Sequence, residues 1–201
     1  MSATILYMSM SLDGFITGPN DGPGNAMGDG GMALHGWLWA NAKPDDDAML
    51  AVSKLTGANK TIVDQFMSSG AIVAGRGTFE GAHGWDGDHH DGVPIFIFSH
   101  HDKPDWARDW PLVHFSNDLA GIMRDAKAAA GGKSVMVHGA GLVQEALRIG
   151  VLDEIVIHLT PMLLGAGRSL FAEIGSKIDL ERIEVLEGEG GVTHLHYRVR
   201  R

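Results

Sequence analysis

The chain contains no cysteine. That removes disulfides, a catalytic thiol and every cysteine-containing zinc site from consideration, and it suits a reducing compartment. Basic residues are also in deficit: 16 Lys and Arg stand against 25 Asp and Glu, a net charge of −9. A broad electrostatic grip on nucleic acid or anionic lipid is therefore not expected, and an anionic ligand would need a local cluster of donors. No run approaches the ~20 apolar residues of a membrane span. The opening residues Met1 to Thr4 offer neither the basic stretch nor the apolar core of a signal peptide. Repeats and low-complexity segments are missing as well. The expectation is a soluble, cytoplasmic protein that binds neither nucleic acid nor membrane.

What is present fits one domain spanning 1–201. With 44% hydrophobic residues, a chain of this length can bury roughly 70% of its unfolded surface and needs no covalent staple. "ATILYMSMS" (3–11) reads as a strand closed by the turn Leu12-Asp13-Gly14. A Gly-, Asn- and Asp-rich insertion follows at about 18–47, broken by the aromatic "HGWLWA". A loop this long is either a functional lid or a surface excursion. Ile62, Val63, Phe66 and Met67 recur at helical spacing before a stop at Gly70. "AIVAG", "VPIFIF" and "PLVHF" read as strands, and Ser116-Asn117-Asp118 offers caps to a helix with Leu119, Ile122, Met123 and Ala126 on one face. "SVMVH" leads into a helix that turns Leu142, Val143, Ala146 and Leu147 inward, and "EIVIHLTPMLLG" is the next strand. The tail forms a hairpin around "EGEGG", with Leu195, Tyr197 and Val199 on a buried face and His194, His196 and Arg198 on a wet one. Strands alternating with helices, then a hairpin, give an α/β sheet that is mostly parallel with an antiparallel C-terminal edge.

Three strand ends share a pattern. "AIVAG" runs into Gly75-Arg76-Gly77-Thr78, "IFIF" into Ser99-His100-His101, and "VMVH" into Gly139-Ala140-Gly141. In open α/β sheets ligands bind beyond the carboxyl ends of the strands. Glycines let backbone approach a phosphate closely, and the helix that follows offers free N–H groups and a favourable dipole. Arg76 has the forked donors for a second phosphate. The alternative at each site is a tight strand-to-helix turn. The third motif departs from G-x-G-x-x-G because Gln144 holds the last position.

"MSMSLDGFITG", "AIVAGRGTFE", "IFIFSHH", "VMVHGAGLVQEAL" and "LTPMLLGAGRSLF", in that order, resemble the dihydrofolate reductase-like superfamily. The branch they resemble most is the RibD C-terminal reductase domain of riboflavin biosynthesis. The resemblance covers nearly the whole chain and is weakest from 18 to 55. It implies a three-layer α/β fold, a homodimer, and an NADPH-dependent reductase acting on a small pyrimidine- or pterin-like heterocycle. By position, Gly139, Ala140, Gly141, Leu142 and Val143 would form the pyrophosphate turn. Gly75, Arg76 and Thr78 would reach the cofactor phosphates, and Ser99 and His100 would lie beside the adenosine 2′-phosphate. His100 replaces the family's frequent basic residue, which weakens the case for NADPH over NADH. Asp13 matches an acidic position facing substrate, where it would orient a hydroxyl or relay a proton; the same Asp-Gly is also ordinary turn chemistry. The zinc deaminase domain that accompanies the riboflavin enzyme has neither room nor cysteines here. The carboxylate that dihydrofolate reductases place on their first long helix finds only Asp45, Asp46 and Asp47 nearby, in an acidic run suited to a helix start.

Trp37 and Arg168 complete the substrate-side residues, Trp37 either stacking on a heteroaromatic ring or pinning the long loop, Arg168 either meeting an anion or closing a turn. The cluster "HGWDGDHHDG" (83–92) reads as a solvated loop or the rim of the cofactor cleft, and no metal site is assigned. Two other readings remain open: a flavin-using oxidoreductase, and a non-catalytic nucleotide-binding member.

Overall fold

The structure, a computed structural model, describes residues 2–172 and 174–200. In chain order the elements are β1 (Thr4–Ser11), β2 (Phe15–Thr17), α1 (Ala48–Ser53), α2 (Gly57–Met67), β3 (Ala71–Gly75), α3 (Arg76–Gly81), β4 (Ile95–Phe98) and β5 (Val113–Ser116). They continue with α4 (Leu119–Ala129), β6 (Val135–His138), α5 (Ala140–Arg148), β7 (Glu154–Thr160), β8 (Arg168–Ser169), β9 (Leu180–Glu187) and β10 (Thr193–Val199).

Eight strands form one sheet in the order β5-β4-β3-β6-β1-β7-β10-β9. The strands from β5 to β7 pair in parallel, and β10 and β9 add an antiparallel edge. Helices cover both faces, so the central strands are apolar on both sides, as parallel strands must be. Leu6, Val73, Val137 and Ile155 face one layer, made by Leu119, Ile122 and Met123 of α4 and Leu142, Val143 and Leu147 of α5. Tyr7, Ile72, Ala74, Met136 and Val156 face the other, where Ile62 and Val63 of α2 and Phe79 of α3 pack. This is the expected three-layer α/β fold with an antiparallel C-terminal edge. Among the described residues no helix is long and apolar enough to cross a membrane.

The insertion from 18 to 47 is more ordered than its composition suggests. Residues Gly31–Trp39 form a 3-10 helix that carries Trp37 onto the sheet. The Trp37 ring centroid lies 4.7 Å from that of His158 and 5.1 Å from that of His194, and Nε1 donates to Ser9 Oγ at 3.0 Å. Trp37 is 3% exposed, so the indole pins the loop. Arg168, on the short β8 that pairs with β2, donates Nε and Nη2 to Asp21 Oδ2 at 2.9 and 2.5 Å and ties down the loop's first part.

Two local expectations change. His194 belongs to the buried side of the hairpin, at 2% exposure, because Trp37 covers that end of the face and a simple two-residue alternation cannot register it. The strand expected over 154–165 ends at Thr160, since Pro161 has no N–H to continue the ladder. The acidic run before α1 serves local structure: Asp47 caps the helix by accepting from Leu50 N at 2.8 Å, and Asp46 pairs with Lys54.

Removing the Trp37 ring leaves a hole over Ser9, His158 and His194. Trp37→Ala is expected to cost ~3–5 kcal/mol and lower Tm by roughly 10 °C. Trp39→Ala, at a position 36% exposed, should stay within ~0.5 kcal/mol. Thermal and urea unfolding of both variants checks this; equal losses would mean that the loop is not anchored through Trp37.

Candidate functional site

A cleft of about 1760 Å³ opens at the carboxyl ends of β3, β6 and β1, where the chain leaves the sheet toward α3 on one side and α5 on the other. Single drug-sized ligands occupy roughly 300–1,000 Å³, so this cleft has room for an extended ligand and a second small one.

One wall is built from the two glycine turns. Gly139, at φ 103°, precedes α5 and has no side chain to cap it. A Cβ there would sit 2.8 Å from Thr78 Oγ1 and 3.5 Å from Gly75 N, so the turns can only meet this closely through glycine. The first α5 amides, those of Ala140, Gly141 and Leu142, have no helical acceptor upstream. A Cβ on Gly141 would meet nothing within 4 Å, which leaves the backbone open to the cleft. Gln144 Nε2 reaches the carbonyls of Ser169 and Leu170 at 3.3 and 3.0 Å and fixes the helix in place. The nearby start of α4 differs: Asp118 caps it by accepting from Gly121 N at 2.9 Å and puts a negative charge there.

The cationic side chains of the lining are already paired. Arg76 donates to Glu80 Oε1 and to the Asp102 carbonyl, both at 2.8 Å. Arg148 pairs with Glu145 at 2.8 Å, and Arg168 with Asp21. Attraction for an anion therefore rests on backbone amides more than on a bare guanidinium. A second wall is aromatic. Trp106 stacks between Phe79 and His83 with both centroid separations 5.2 Å, and Trp85 meets Phe79 edge-on at 6.3 Å. His83, Trp85 and Asp86 hold left-handed φ values of 49°, 51° and 52°, a conformation costing on the order of 1–2 kcal/mol per residue.

The floor carries histidines: His35, His89, His138 and His158 all line it. Burial drives each below its ordinary pKa, His89 to about 4 and His138 to about 3, with His158 well below the usual value. Neighbouring imidazoles add to the effect: His90 acts on His89, and His89 and His35 act on His138. His90 itself is 8% exposed, with Nδ1 2.7 Å from His89 Nδ1 and Nε2 3.1 Å from the Ser69 carbonyl. The segment 83–92 thus borders the cleft through His83, Trp85 and His89, while Asp86, Asp88, Asp91 and Gly92 stay exposed to solvent. Among the described residues no group of three or more His, Asp or Glu is arranged to hold a metal ion.

Of the residues singled out in the sequence, Gly75, Arg76, Thr78, His100, Gly139, Ala140, Gly141, Leu142, Trp37 and Arg168 come together in this lining. Three do not. Val143 is fully buried and its N–H is spent on Gly139 O at 3.0 Å, an ordinary helical bond. Ser99 turns away, its hydroxyl donating to His101 O at 2.9 Å and accepting from His101 N at 3.0 Å, beside a smaller depression that His100 also borders. Asp13 is exposed and outside the lining; it accepts from Ser11 Oγ at 2.5 Å and from the Leu164 and Gly165 amides at 3.2 and 2.7 Å. The Ser11 hydroxyl and those two amides hold its carboxyl below the usual range, as a turn-forming aspartate. Of the histidine floor, His89 falls in the 83–92 cluster noted in the sequence, whereas His35, His138 and His158 were not singled out; for the last two the available signal was a histidine at an inward position of otherwise apolar strands, "VMVH" and "EIVIHL".

A family model for the RibD C-terminal domain matches residues 3–193. The chain is similar to the uncharacterized protein YwjB of Bacillus subtilis (strain 168), 24% identical, with 96% of each chain covered. It is similar in structure to a protein of Shewanella sp. PV-4 provisionally assigned to riboflavin biosynthesis, at TM-score 0.70 and 23% identity over 99% of both chains. It also resembles a dihydrofolate reductase from Enterococcus faecalis solved with NADP(H), at TM-score 0.59 and 15% identity over 99% of this chain and 97% of that one.

Imidazoles kept neutral by burial set the sign of the pH dependence. With folded pKa values below the ordinary 6.5, the unfolded chain takes up protons first as pH falls. Stability is therefore full above pH 6.5 and is lost on descent toward about 4, where His89 and His194 protonate in the folded state. Each such histidine contributes about 2 kcal/mol of loss between pH 6.5 and 5. Urea unfolding at pH 7 and pH 5 should differ by at least one such step; identical values would contradict neutral buried imidazoles.

Proposed function

The chain belongs to the RibD C-terminal domain family, and on that premise we propose that it is a reductase that takes hydride from NADPH and delivers it to a small heterocycle of pyrimidine or pterin type. The observation that carries this reading is the contact between the two glycine turns. It sets the uncapped start of α5 against the end of β3 at one side of a cleft large enough for a dinucleotide and a second ligand. The fold's occurrence in a reductase solved with NADP(H) supports it.

On this reading the amides of Ala140, Gly141 and Leu142 receive the pyrophosphate, whose charge complements the helix dipole. Gly75 and Thr78 flank it, and Arg76, which extends to the Asp102 carbonyl just past His100, lies with His100 toward the adenosine 2′-phosphate. Bound nicotinamide supplies the hydride; the chain binds, orients and excludes water. Trp37, the histidine floor and Arg168 border the space left for the second ligand. Asp13, Ser99 and Val143 serve the scaffold. Arg76 is shared with Glu80, so its contribution to a phosphate is that of a partly neutralised guanidinium.

Thermal stabilisation tests the cofactor. NADPH at ~100 times its Kd should add ~2.7 kcal/mol of apparent stability, and no shift with NADPH or NADH at millimolar concentration would refute this reading. In the same assay Arg76→Ala should weaken NADPH about tenfold more than NADH, the worth of one charge-assisted hydrogen bond. Equal losses would remove Arg76 from 2′-phosphate recognition.

A further inference from the structure

His158 lies in β7 with Ser9 of β1 and His194 of β10 as its strand neighbours. It is 3% exposed and borders the cleft. Behind it runs a chain of hydrogen bonds whose proton positions follow from geometry. His158 Nδ1 is 3.0 Å from His194 Nδ1, and His194 Nε2 is 3.0 Å from the Asn59 side-chain oxygen. Asn59 Nδ2 donates to two carbonyls, Trp37 O at 3.0 Å and Glu189 O at 3.1 Å. Both carbonyls can only accept, so the amide orientation is fixed and Oδ1 is the acceptor facing His194.

His194 Nε2 must then carry the proton. A neutral imidazole has one N–H, so His194 Nδ1 is a bare acceptor, and His158 Nδ1 is the donor to it. That leaves His158 Nε2 as an unprotonated lone pair with no protein partner among the described residues. Burial keeps both rings neutral. Rearrangement is blocked from both sides. Trp37 covers the two rings, and Gly188 packs so tightly that a Cβ would come within 2.1 Å of Asn59 Oδ1 and 2.8 Å of His194 Nε2.

We propose that His158 is a specificity-determining residue of the cleft, its tautomer fixed by Asn59 and His194, and that its Nε2 accepts a hydrogen bond from a ring N–H or O–H of an uncharged substrate. The word substrate rests on the reductase reading; the tautomer does not. The other lining groups agree with an uncharged ligand. The lining carboxylates Asp21, Glu80 and Glu145 are paired with arginines, and Asp118 caps its own helix, so a cationic ring would find no free carboxylate among them. His35 Nδ1, on the same floor, is also without a protein partner among the described residues, and unlike His158 Nε2 it is closed off from solvent. Asn59 and His194 are positioning residues.

The test is long-range 1H–15N NMR of histidine-labelled, ligand-free protein, with the His158 signals identified by their loss in His158→Gln. The expected spectrum has His158 as the Nδ1–H form and His194 as the Nε2–H form. His158 found as Nε2–H, or protonated on both nitrogens at neutral pH, overturns the proposal. Uracil and 1,3-dimethyluracil, in which both ring N–H groups are replaced by N-methyl, then probe recognition. Uracil should move the His158 Nε2 resonance and bind about tenfold more tightly than the methylated ring; equal binding, or no binding of either, overturns the recognition claim. His194→Phe should release His158 from the Nδ1–H form, and persistence of that form in a folded variant would overturn the positioning role. The wild-type spectrum decides the tautomer even if that variant fails to fold. The two readings fail separately: an NADPH shift without a uracil response leaves the reductase standing, and the predicted tautomer without any NADPH shift does the reverse.

Discussion

Gly139 can approach the β3–α3 turn only because it has no side chain: a Cβ would lie 2.8 Å from Thr78 Oγ1. That approach holds α5 where its first amides look into the space beyond β3, β6 and β1 rather than into the core. The rest of the helix is fixed by its apolar face, where Leu142, Val143 and Leu147 are buried against the sheet, and by the reach of Gln144 to the carbonyls of Ser169 and Leu170. A backbone donor site follows from packing, with no cationic side chain needed to build it. It suits a chain of net charge −9, in which each arginine of the cleft is balanced by a nearby carboxylate.

The opposite side obeys a different constraint. Beneath Trp37, polar side chains of β1, β7 and β10 sit in one buried row, Ser9, His158 and His194. Buried polar groups are costly unless hydrogen-bonded, and each member of this row has a partner: Ser9 takes Trp37 Nε1, and the two imidazoles pair with each other and onward to Asn59. The loop segment that supplies Trp37 therefore closes the core and sets the chemistry of the floor at once. Loss of the indole would disturb both, while the glycine wall would keep its own supports.

Much of the frame was legible in the sequence. Strands covered on both faces must be continuous apolar runs, and "AIVAG", "IFIF" and "VMV" are such runs. Asp118 caps α4 as the Ser-Asn-Asp cluster suggested, and the glycine strand ends meet in one cleft. What was missed depends on contacts between distant segments. The helix Gly31–Trp39 has no strong periodicity of its own and exists because the sheet receives Trp37. His194 looks wet by alternation, and only the loop some 157 residues earlier makes it buried. The Arg168–Asp21 pair spans 147 residues, so Arg168 looked available when it is engaged. Asp13 matched a functional position, yet its carboxylate is bonded to the amides of Leu164 and Gly165, partners that no local pattern reveals.

The proposed cofactor site puts a dinucleotide pyrophosphate on the start of α5, against the β3–α3 turn. Amide hydrogen exchange with and without saturating NADPH tests it most directly. Protection is predicted to rise at Ala140, Gly141 and Leu142 and across residues 75–78, while the distant edge strand Leu180–Glu187 stays unchanged. Tight NADPH binding with no added protection at 140–142 would contradict the account.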